Sequence, residues 1–135
     1  MSKAILFVYG TLKRGGRNHR LLVGQEFLGE VVSAPRYRLI DLGCYPGLIH
    51  DEATGLAIHG ELYAVGADNL AELDDFEEVP ELFIRKAIEL MSGSLAWAYF
   101  WNQAIPPKAR SGARWPFDDN PVFLPEASSS RSCSP

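Results

Sequence analysis

The sequence contains no run of about 18 apolar residues, which argues against a membrane-spanning helix. Its N-terminus also lacks the pattern of a secretory signal, a basic segment followed by a long apolar stretch and a small-residue cleavage site. We therefore expect a cytoplasmic protein with no membrane partner. Basic residues are in deficit as well. The 17 acidic and 13 basic side chains give a formal net charge of −4, the wrong sign for a general binder of nucleic-acid phosphates. Nucleic acid is accordingly not an expected partner.

Metal-ligating and nucleophilic residues are also scarce. The two cysteines, Cys44 and Cys133, lie far apart, so we expect free thiols and not a disulfide framework or a C-x-x-C metal site. His19, His50 and His59 show neither metal-ligand spacing nor a cysteine partner, so no metal site is expected. A nucleophilic Cys44 would need a histidine brought near it by the fold. No G-x-S-x-G motif is present, so a serine hydrolase of that kind is not indicated.

The composition that remains is that of an ordinary folded domain. The chain is 47% hydrophobic and 22% charged, and its 135 residues are enough for one domain with a sizeable core. Residues 102–125 carry five prolines and little periodicity, which predicts a long surface wrap. We predict a single domain over residues 1–125 and a disordered, serine-rich tail over residues 126–135. Four apolar side chains are expected to anchor the wrap: Trp115, Phe117, Val122 and Phe123.

Most of the regular segments predicted in the first hundred residues are short strands. Only "ADNLAELDDFEE", residues 67–78, is a good helical candidate, with Gly66 before it and Pro80 after it. Many strands with one or two helices indicate an α+β domain, with a small mixed β-barrel or curved sheet flanked by a few helices. "GCYPGL", residues 43–48, has the composition of a turn. The predicted strands are "AILFVY", "EFLGEVV", "RYRLIDL", "GLAIHGELYAV", "LFIRKAIEL" and "LAWAYFW".

The predicted helix places a carboxylate on its apolar face. At about 100° per residue, Leu70, Leu73 and Glu77 fall within roughly 60° of one another. A carboxylate that faces a core is costly unless it is paired, hydrogen-bonded or protonated. Burial also raises its pKa, which makes Glu77 a candidate general base. Two simpler interpretations stay open: the helix ends before Glu77, or Arg85 or Lys86 pairs with it.

The first strand runs into "YGTLKRGGRNH", residues 9–19, a turn rich in glycine and basic side chains. It is neither a Walker A loop nor a dinucleotide-binding fingerprint, because Gly16 and Arg17 follow where Lys and Ser or Thr are required and the glycine intervals are wrong. What remains is a strand end where Gly10 allows close backbone approach and consecutive N–H groups can hold a small anion such as a carboxylate. The alternative for the basic side chains is a solvated loop. These are Lys13, Arg14, Arg17 and Arg20.

Three segments together resemble the γ-glutamyl cyclotransferase-like family, and most closely its γ-glutamylamine cyclotransferase branch. They are "FVYGTLKRGGRNHRLL", "HGELYAV" and "LDDFEEVPELFIR", which occur in the family's order within residues 5–101. The resemblance implies a small mixed β-barrel flanked by helices. It also implies an enzyme that releases 5-oxoproline and a free amine or amino acid from a small γ-glutamyl substrate without a cofactor.

The resemblance assigns roles by position. The catalytic glutamate of the family falls on Glu77, in agreement with the helix arithmetic, as the general acid and base. The family's substrate loop falls on four consecutive residues: Tyr9, Gly10, Thr11 and Leu12.

One position departs from the family pattern. Several relatives have a tyrosine where this chain has Phe83, so a hydroxyl contribution from that position is missing. Tyr45 and Tyr99 are further candidates for the pocket wall. The alternative function is a non-catalytic domain on the same fold that binds a small carboxylate, since a fold does not specify an activity. The sequence leaves the leaving amine and the oligomeric state open.

Overall fold

The computed structural model describes residues 3–117, which contain seven strands, one α-helix and one short 3-10 turn. The 3-10 turn spans His19–Leu22, and the α-helix, α1, spans Ala67–Phe76. The strands are β1 Ala4–Val8, β2 Glu26–Asp41, β3 Pro46–His50, β4 Leu56–Val65, β5 Phe83–Glu89, β6 Leu95–Trp101 and β7 Ser111–Gly112.

Five of these strands close into a ring in the order β1, β4, β2, β3, β6 and back to β1. Three of the pairings are antiparallel, whereas β6 lies parallel to both β1 and β3, with Leu6 opposite Trp97 and Leu48 opposite Phe100. Strand β5 forms a hairpin with β6, and β7 adds to β2. The prediction of an α+β domain with a small mixed β-barrel is confirmed.

Two details of the strand prediction are wrong. The segments "EFLGEVV" and "RYRLIDL" belong to one continuous strand, β2, because register shifts near Gly29 and Pro35 bend the strand without ending it. Gly29 has a φ of 132°, a conformation that favours glycine. Part of the predicted turn "GCYPGL" is strand β3, which begins at Pro46, and the first residue of a strand is a position where proline is tolerated.

The core is divided between the two faces of the barrel wall. One cluster draws on every strand of the ring and fills the interior, with Phe7, Leu39, Leu48 and Ile58 fully buried. The other lies outside the wall, between the barrel and α1. Its members are Leu6, Val8, Leu12, Leu22, Tyr63, Val65, Leu73, Phe83 and Tyr99. Helix α1 is therefore held by one buried face against the strands that carry the candidate site.

Helix α1 ends earlier than predicted. Its last residue is Phe76, and Glu78 adopts a φ of 55°, in the left-handed region. The N–H of Glu78 donates to the Asp75 carbonyl at 3.1 Å and that of Val79 to the Asp74 carbonyl at 3.0 Å, which is the Schellman ending of a helix. The Glu77 N–H still donates to the Leu73 carbonyl at 2.9 Å. Glu77 therefore keeps the helical register although the helix has ended.

The last described segment wraps over the barrel as predicted. Trp115 and Phe117 pack against the interior cluster, and their rings meet edge to face at 5.4 Å. Val122 and Phe123, the domain boundary at residue 125 and the predicted tail lie outside the described residues. Among residues 3–117, no helix has the length and hydropathy needed to cross a bilayer.

Candidate active site

A cavity opens where the loop after β1 meets the end of α1 and the start of β5. The strand ends bring the loop and the helix together, although Tyr9 and Glu77 are far apart in the chain. All five residues singled out from the sequence line this one cavity. Its lining residues are Phe7, Val8, Tyr9, Gly10, Thr11, Leu12, Arg17, Asn18, Tyr45, Pro46, Phe76, Glu77, Leu82, Phe83 and Tyr99.

Glu77 is the acidic side chain of this cavity and lies in largely apolar surroundings. Burial, and then the charge of neighbouring Glu78, raise the pKa of Glu77 from 4.5 to about 8. Within residues 3–117 no salt bridge reaches Glu77. The side chain therefore carries no structural ion pair there and can exchange a proton near neutral pH.

The alternative pairing partners of Glu77 are engaged elsewhere. Arg85 binds Asp74 with both nitrogens of its fork, at 2.8 and 3.0 Å, and Lys86 lies 4.7 Å above the ring of Phe100. Asp74 also accepts a hydrogen bond of 2.7 Å from the Tyr99 hydroxyl. Burial alone would raise the pKa of Asp74, but the bonds from Arg85 and Tyr99 outweigh it and lower the pKa. One helical turn thus separates a satisfied carboxylate from an unpaired one.

The Tyr9–Leu12 segment presents backbone donors to the cavity. The carbonyl of Gly10 accepts from the Lys13 N–H at 3.1 Å, and that of Thr11 from the Asn18 N–H at 3.0 Å. No acceptor within the described part of the chain takes the N–H groups of Gly10, Thr11 and Leu12. A Cβ on Gly10 would lie 2.8 Å from Pro46, so only glycine fits between the loop and β3. Such consecutive free N–H groups suit a small anion.

The basic side chains that follow this segment contact other groups of the protein. Lys13 donates to the Trp115 carbonyl at 2.7 Å, Arg17 to that of Cys44 at 2.7 Å and Arg20 to that of Arg17 at 2.9 Å. Arg14 packs on the ring of Phe27, with its guanidinium carbon 4.1 Å from the ring centroid. Arg14, Arg17 and Arg20 are exposed, as the interpretation of a solvated loop expects, and they also bond to or pack on the protein.

The main anchor of this loop is Glu61 on β4, to which the sequence patterns gave no role. Glu61 is 6% exposed. It accepts from the backbone N–H of Arg14 at 3.0 Å, from Arg14 Nε at 3.2 Å and from the Tyr63 hydroxyl at 3.1 Å. The only hint in the sequence is a glutamate within a half-buried strand, which is a weak signal.

Tyrosines form much of the remaining wall. Tyr9 donates from its hydroxyl to the Tyr99 carbonyl at 2.7 Å, which links the loop to β6. Tyr45 and Tyr99 both line the cavity, as predicted, and Phe83 lies beside Tyr45 with its ring centroid 6.1 Å away. Burial, and then the charge of Glu77, raise the pKa of Tyr9, so its hydroxyl stays protonated.

Residues 3–117 contain no group of three or more His, Cys, Asp or Glu side chains arranged to hold a metal ion. His50 stacks on Phe100 at 5.2 Å, and His19 Nδ1 lies 2.8 Å from the Leu12 carbonyl oxygen. Cys44 is disulfide-bonded, so the expectation of a free thiol there is wrong and a nucleophilic role is excluded while the bond is intact. Cys133 lies outside the described residues.

Comparisons with known proteins agree with this arrangement. The family model for γ-glutamyl cyclotransferase, AIG2-like, matches residues 6–117. A Vibrio cholerae protein with the provisional name of a γ-glutamylcyclotransferase is 41% identical over 99 residues, which are 73% of this chain and 83% of that protein. Human γ-glutamylaminecyclotransferase is 38% identical over 94 residues, 64% of this chain and 61% of that protein.

A solved structure extends the similarity to three dimensions. An AIG2-like protein of Mus musculus superposes with a TM-score of 0.69 at 29% identity, over 78% of this chain and 82% of that one. The barrel, the helix and the loop after β1 therefore belong to a known fold.

Proposed function

Because the chain belongs to the γ-glutamyl cyclotransferase, AIG2-like family, we propose that it is a γ-glutamyl cyclotransferase with Glu77 as its general acid and base. In the proposed reaction the α-amine nitrogen of the substrate attacks its own γ-carbonyl carbon. A C–N bond closes the five-membered ring of 5-oxoproline, and the C–N bond to the leaving amine breaks. The two protons that the α-ammonium nitrogen loses appear on the leaving amine.

The environment of Glu77 is the observation that carries this proposal. An α-ammonium group cannot attack until it gives up a proton, and a carboxylate of ordinary pKa is a poor acceptor for that proton. The pKa of about 8 makes Glu77 a much stronger base, and its protonated form can then deliver the proton to the leaving amine.

The loop after β1 supplies the second half of the mechanism. The free N–H groups of Gly10, Thr11 and Leu12 are suited to hold the α-carboxylate of the γ-glutamyl group or to stabilise the oxyanion that develops. The reaction is intramolecular, so a chain held folded between this loop and Glu77 gains much of its rate from orientation. Proton transfer and an internal nucleophile are enough for the chemistry, and we therefore propose that no cofactor takes part.

The same geometry and the names of the relatives support a proposal for the substrate class. In this proposal the γ-glutamyl group supplies the carboxylate and the amine that the site recognises. We propose γ-glutamyl amines, such as γ-glutamyl-ε-lysine, and γ-glutamyl dipeptides as the compounds to test.

The experiment is incubation of the purified protein with these compounds while 5-oxoproline and the free amine are measured. We expect turnover by the wild type and a loss of at least about 1,000-fold in Glu77→Gln, which keeps the size of the side chain and removes the base. Glu72→Gln is the matched control, because Glu72 is an exposed glutamate on the same helix.

The two outcomes that contradict the proposal are clear. If no compound is turned over, or if Glu77→Gln is as fast as the wild type, the enzymatic function is wrong. Binding of a γ-glutamyl compound without turnover would instead favour the non-catalytic carboxylate-binding domain.

A further inference from the structure

The five tyrosines of the chain all lie within the described residues, and their hydroxyl groups differ in one respect. Four of them have a hydrogen-bond partner. Within residues 3–117 the hydroxyl of Tyr45 has none, although it belongs to the wall of the candidate cavity. The four pairs are Tyr9 with the Tyr99 carbonyl, Tyr37 with the Glu89 N–H, Tyr63 with Glu61, and Tyr99 with Asp74.

The position of Tyr45 places this hydroxyl among the groups of the site. Tyr45 lies just before β3, and its ring packs at 51° to that of Phe83, with a centroid distance of 6.1 Å. Burial, and then the charges of Glu77 and Glu78, raise the pKa of Tyr45, while Arg17 acts in the opposite direction. The hydroxyl therefore keeps its proton at neutral pH and is a hydrogen-bond donor.

The other two tyrosine hydroxyls of the cavity wall are already engaged as donors. The hydroxyls of Tyr9 and Tyr99 donate within the protein, and the Thr11 hydroxyl accepts from Asn18 at 2.9 Å. Phe83 brings no polar atom to the wall. Among the tyrosine hydroxyls of the cavity wall, that of Tyr45 is thus the one whose proton no described residue accepts.

A γ-glutamyl group has three polar parts, and two of them have partners in the function proposed above. The α-carboxylate suits the backbone N–H groups of the loop after β1, and the α-ammonium suits Glu77. The γ-carbonyl oxygen remains, and it gains negative charge when the amine attacks. A donor fixed at that oxygen stabilises the transition state more than the ground state.

We propose that the Tyr45 hydroxyl donates a hydrogen bond to the γ-carbonyl oxygen of the substrate and stabilises the oxyanion formed there. This assignment rests on the proposed cyclotransferase function. It makes Tyr45 a second catalytic residue beside Glu77 and leaves the loop N–H groups to the α-carboxylate.

The test is Tyr45→Phe, which removes one oxygen that bonds to no described group. The variant is expected to fold with wild-type stability in thermal unfolding. On a substrate that the wild type turns over, kcat should fall about 100-fold while KM changes less than about threefold, because the lost bond acts in the transition state. The matched control is Tyr37→Phe, which removes a buried hydroxyl outside the cavity and should leave kcat unchanged.

The outcomes distinguish a wrong assignment of Tyr45 from a wrong cyclotransferase function. If the wild type turns over a γ-glutamyl compound and Tyr45→Phe keeps kcat within about twofold, the assignment of Tyr45 is wrong and the cyclotransferase function stands. A rise in KM with unchanged kcat would also overturn it, because the hydroxyl would then bind only the ground state. If the wild type is inactive on every compound, both proposals fail.

Discussion

Two glutamates near the loop after β1 have contrasting surroundings. Glu61 is buried and accepts three hydrogen bonds, two from Arg14 and one from Tyr63. Glu77 is partly buried, has no ion pair among residues 3–117, and has its pKa raised to about 8. The same side chain therefore serves structure where its charge is satisfied, and is available for proton transfer where it is not.

The largest expected effect concerns Glu61. Glu61→Gln removes the charge that three donors share, and one of these donors is the backbone N–H of Arg14. We expect a loss of about 3 kcal/mol in the free energy of unfolding, measured by urea denaturation at pH 7. Glu77→Gln should show no such loss at pH 7. Equal destabilisation of the two variants would remove the contrast between the two sites.

The second effect is the pH dependence of stability at Glu77. Its pKa is 4.5 when unfolded and about 8 when folded, so between these values the folded state holds a proton that the unfolded state lacks. Wild-type stability should therefore fall as pH rises from 4.5 to 8. The full shift corresponds to about 5 kcal/mol, and since the side chain is partly exposed we expect Glu77→Gln to be more stable than wild type by about 2 kcal/mol at pH 9.

The comparison with pH 4 is the control for this second prediction. Since pH 4 lies below both pKa values of Glu77, both states of the wild type hold most of the Glu77 proton there, so the variant and the wild type should unfold with similar free energies. If the difference between them does not grow with pH, Glu77 is ionised in the folded protein and is not a base of raised pKa.

The third effect concerns the ion pair of Arg85 and Asp74, which lies one helical turn from Glu77. Arg85→Gln leaves the charge of Asp74 uncompensated one helical turn from Glu77, which should raise the pKa of Glu77 further. We expect the rise of kcat/KM with pH, centred near 8 in the wild type, to move up by about one pH unit, and activity at pH 7 to fall about tenfold.

The double variant Asp74→Asn with Arg85→Gln removes both charges and separates electrostatics from packing. Its pH profile should return to that of the wild type on the same substrate. If the double variant stays shifted, the network acts on Glu77 through its position and not through its charge.

The smallest expected effect compares two hydroxyls. Tyr63→Phe removes one bond to Glu61 and should cost about 1 kcal/mol of stability in urea denaturation, with activity within about threefold of wild type. Tyr45→Phe should instead lower activity and leave stability unchanged, because its hydroxyl bonds to no described residue. A Tyr63→Phe variant that loses activity but no stability would place the Glu61 site in the catalytic machinery.

Local patterns anticipated the parts of the site that depend on short stretches of backbone. Helical periodicity put Glu77 on the same face as Leu73, and this held although the helix ends at Phe76, because the Glu77 N–H still bonds to Leu73. The end of the strand near Tyr9 and the need for glycine at position 10 could also be predicted from the sequence. The mixed barrel followed from the number of strands and the scarcity of helix.

Contacts between distant parts of the chain were not anticipated. Glu61 and Arg14 are 47 residues apart, and Asp74 and Tyr99 are 25 apart, so no spacing rule connects them. The continuity of β2 through Pro35 was missed for a related reason. Proline usually interrupts a strand, and here the register shift next to it lets the pairing with β4 resume.

Residue order alone was enough to single out the candidate groups of the site: a carboxylate on an apolar helical face and a glycine-bearing turn after a buried strand. Periodicity and turn preferences act over a few residues, so they can be read without the fold. Which of several carboxylates stays unpaired, and which of five tyrosines keeps an available hydroxyl, depended on closure of the barrel. Pairing is a competition among groups that are distant in sequence, and only the folded chain brings the competitors together.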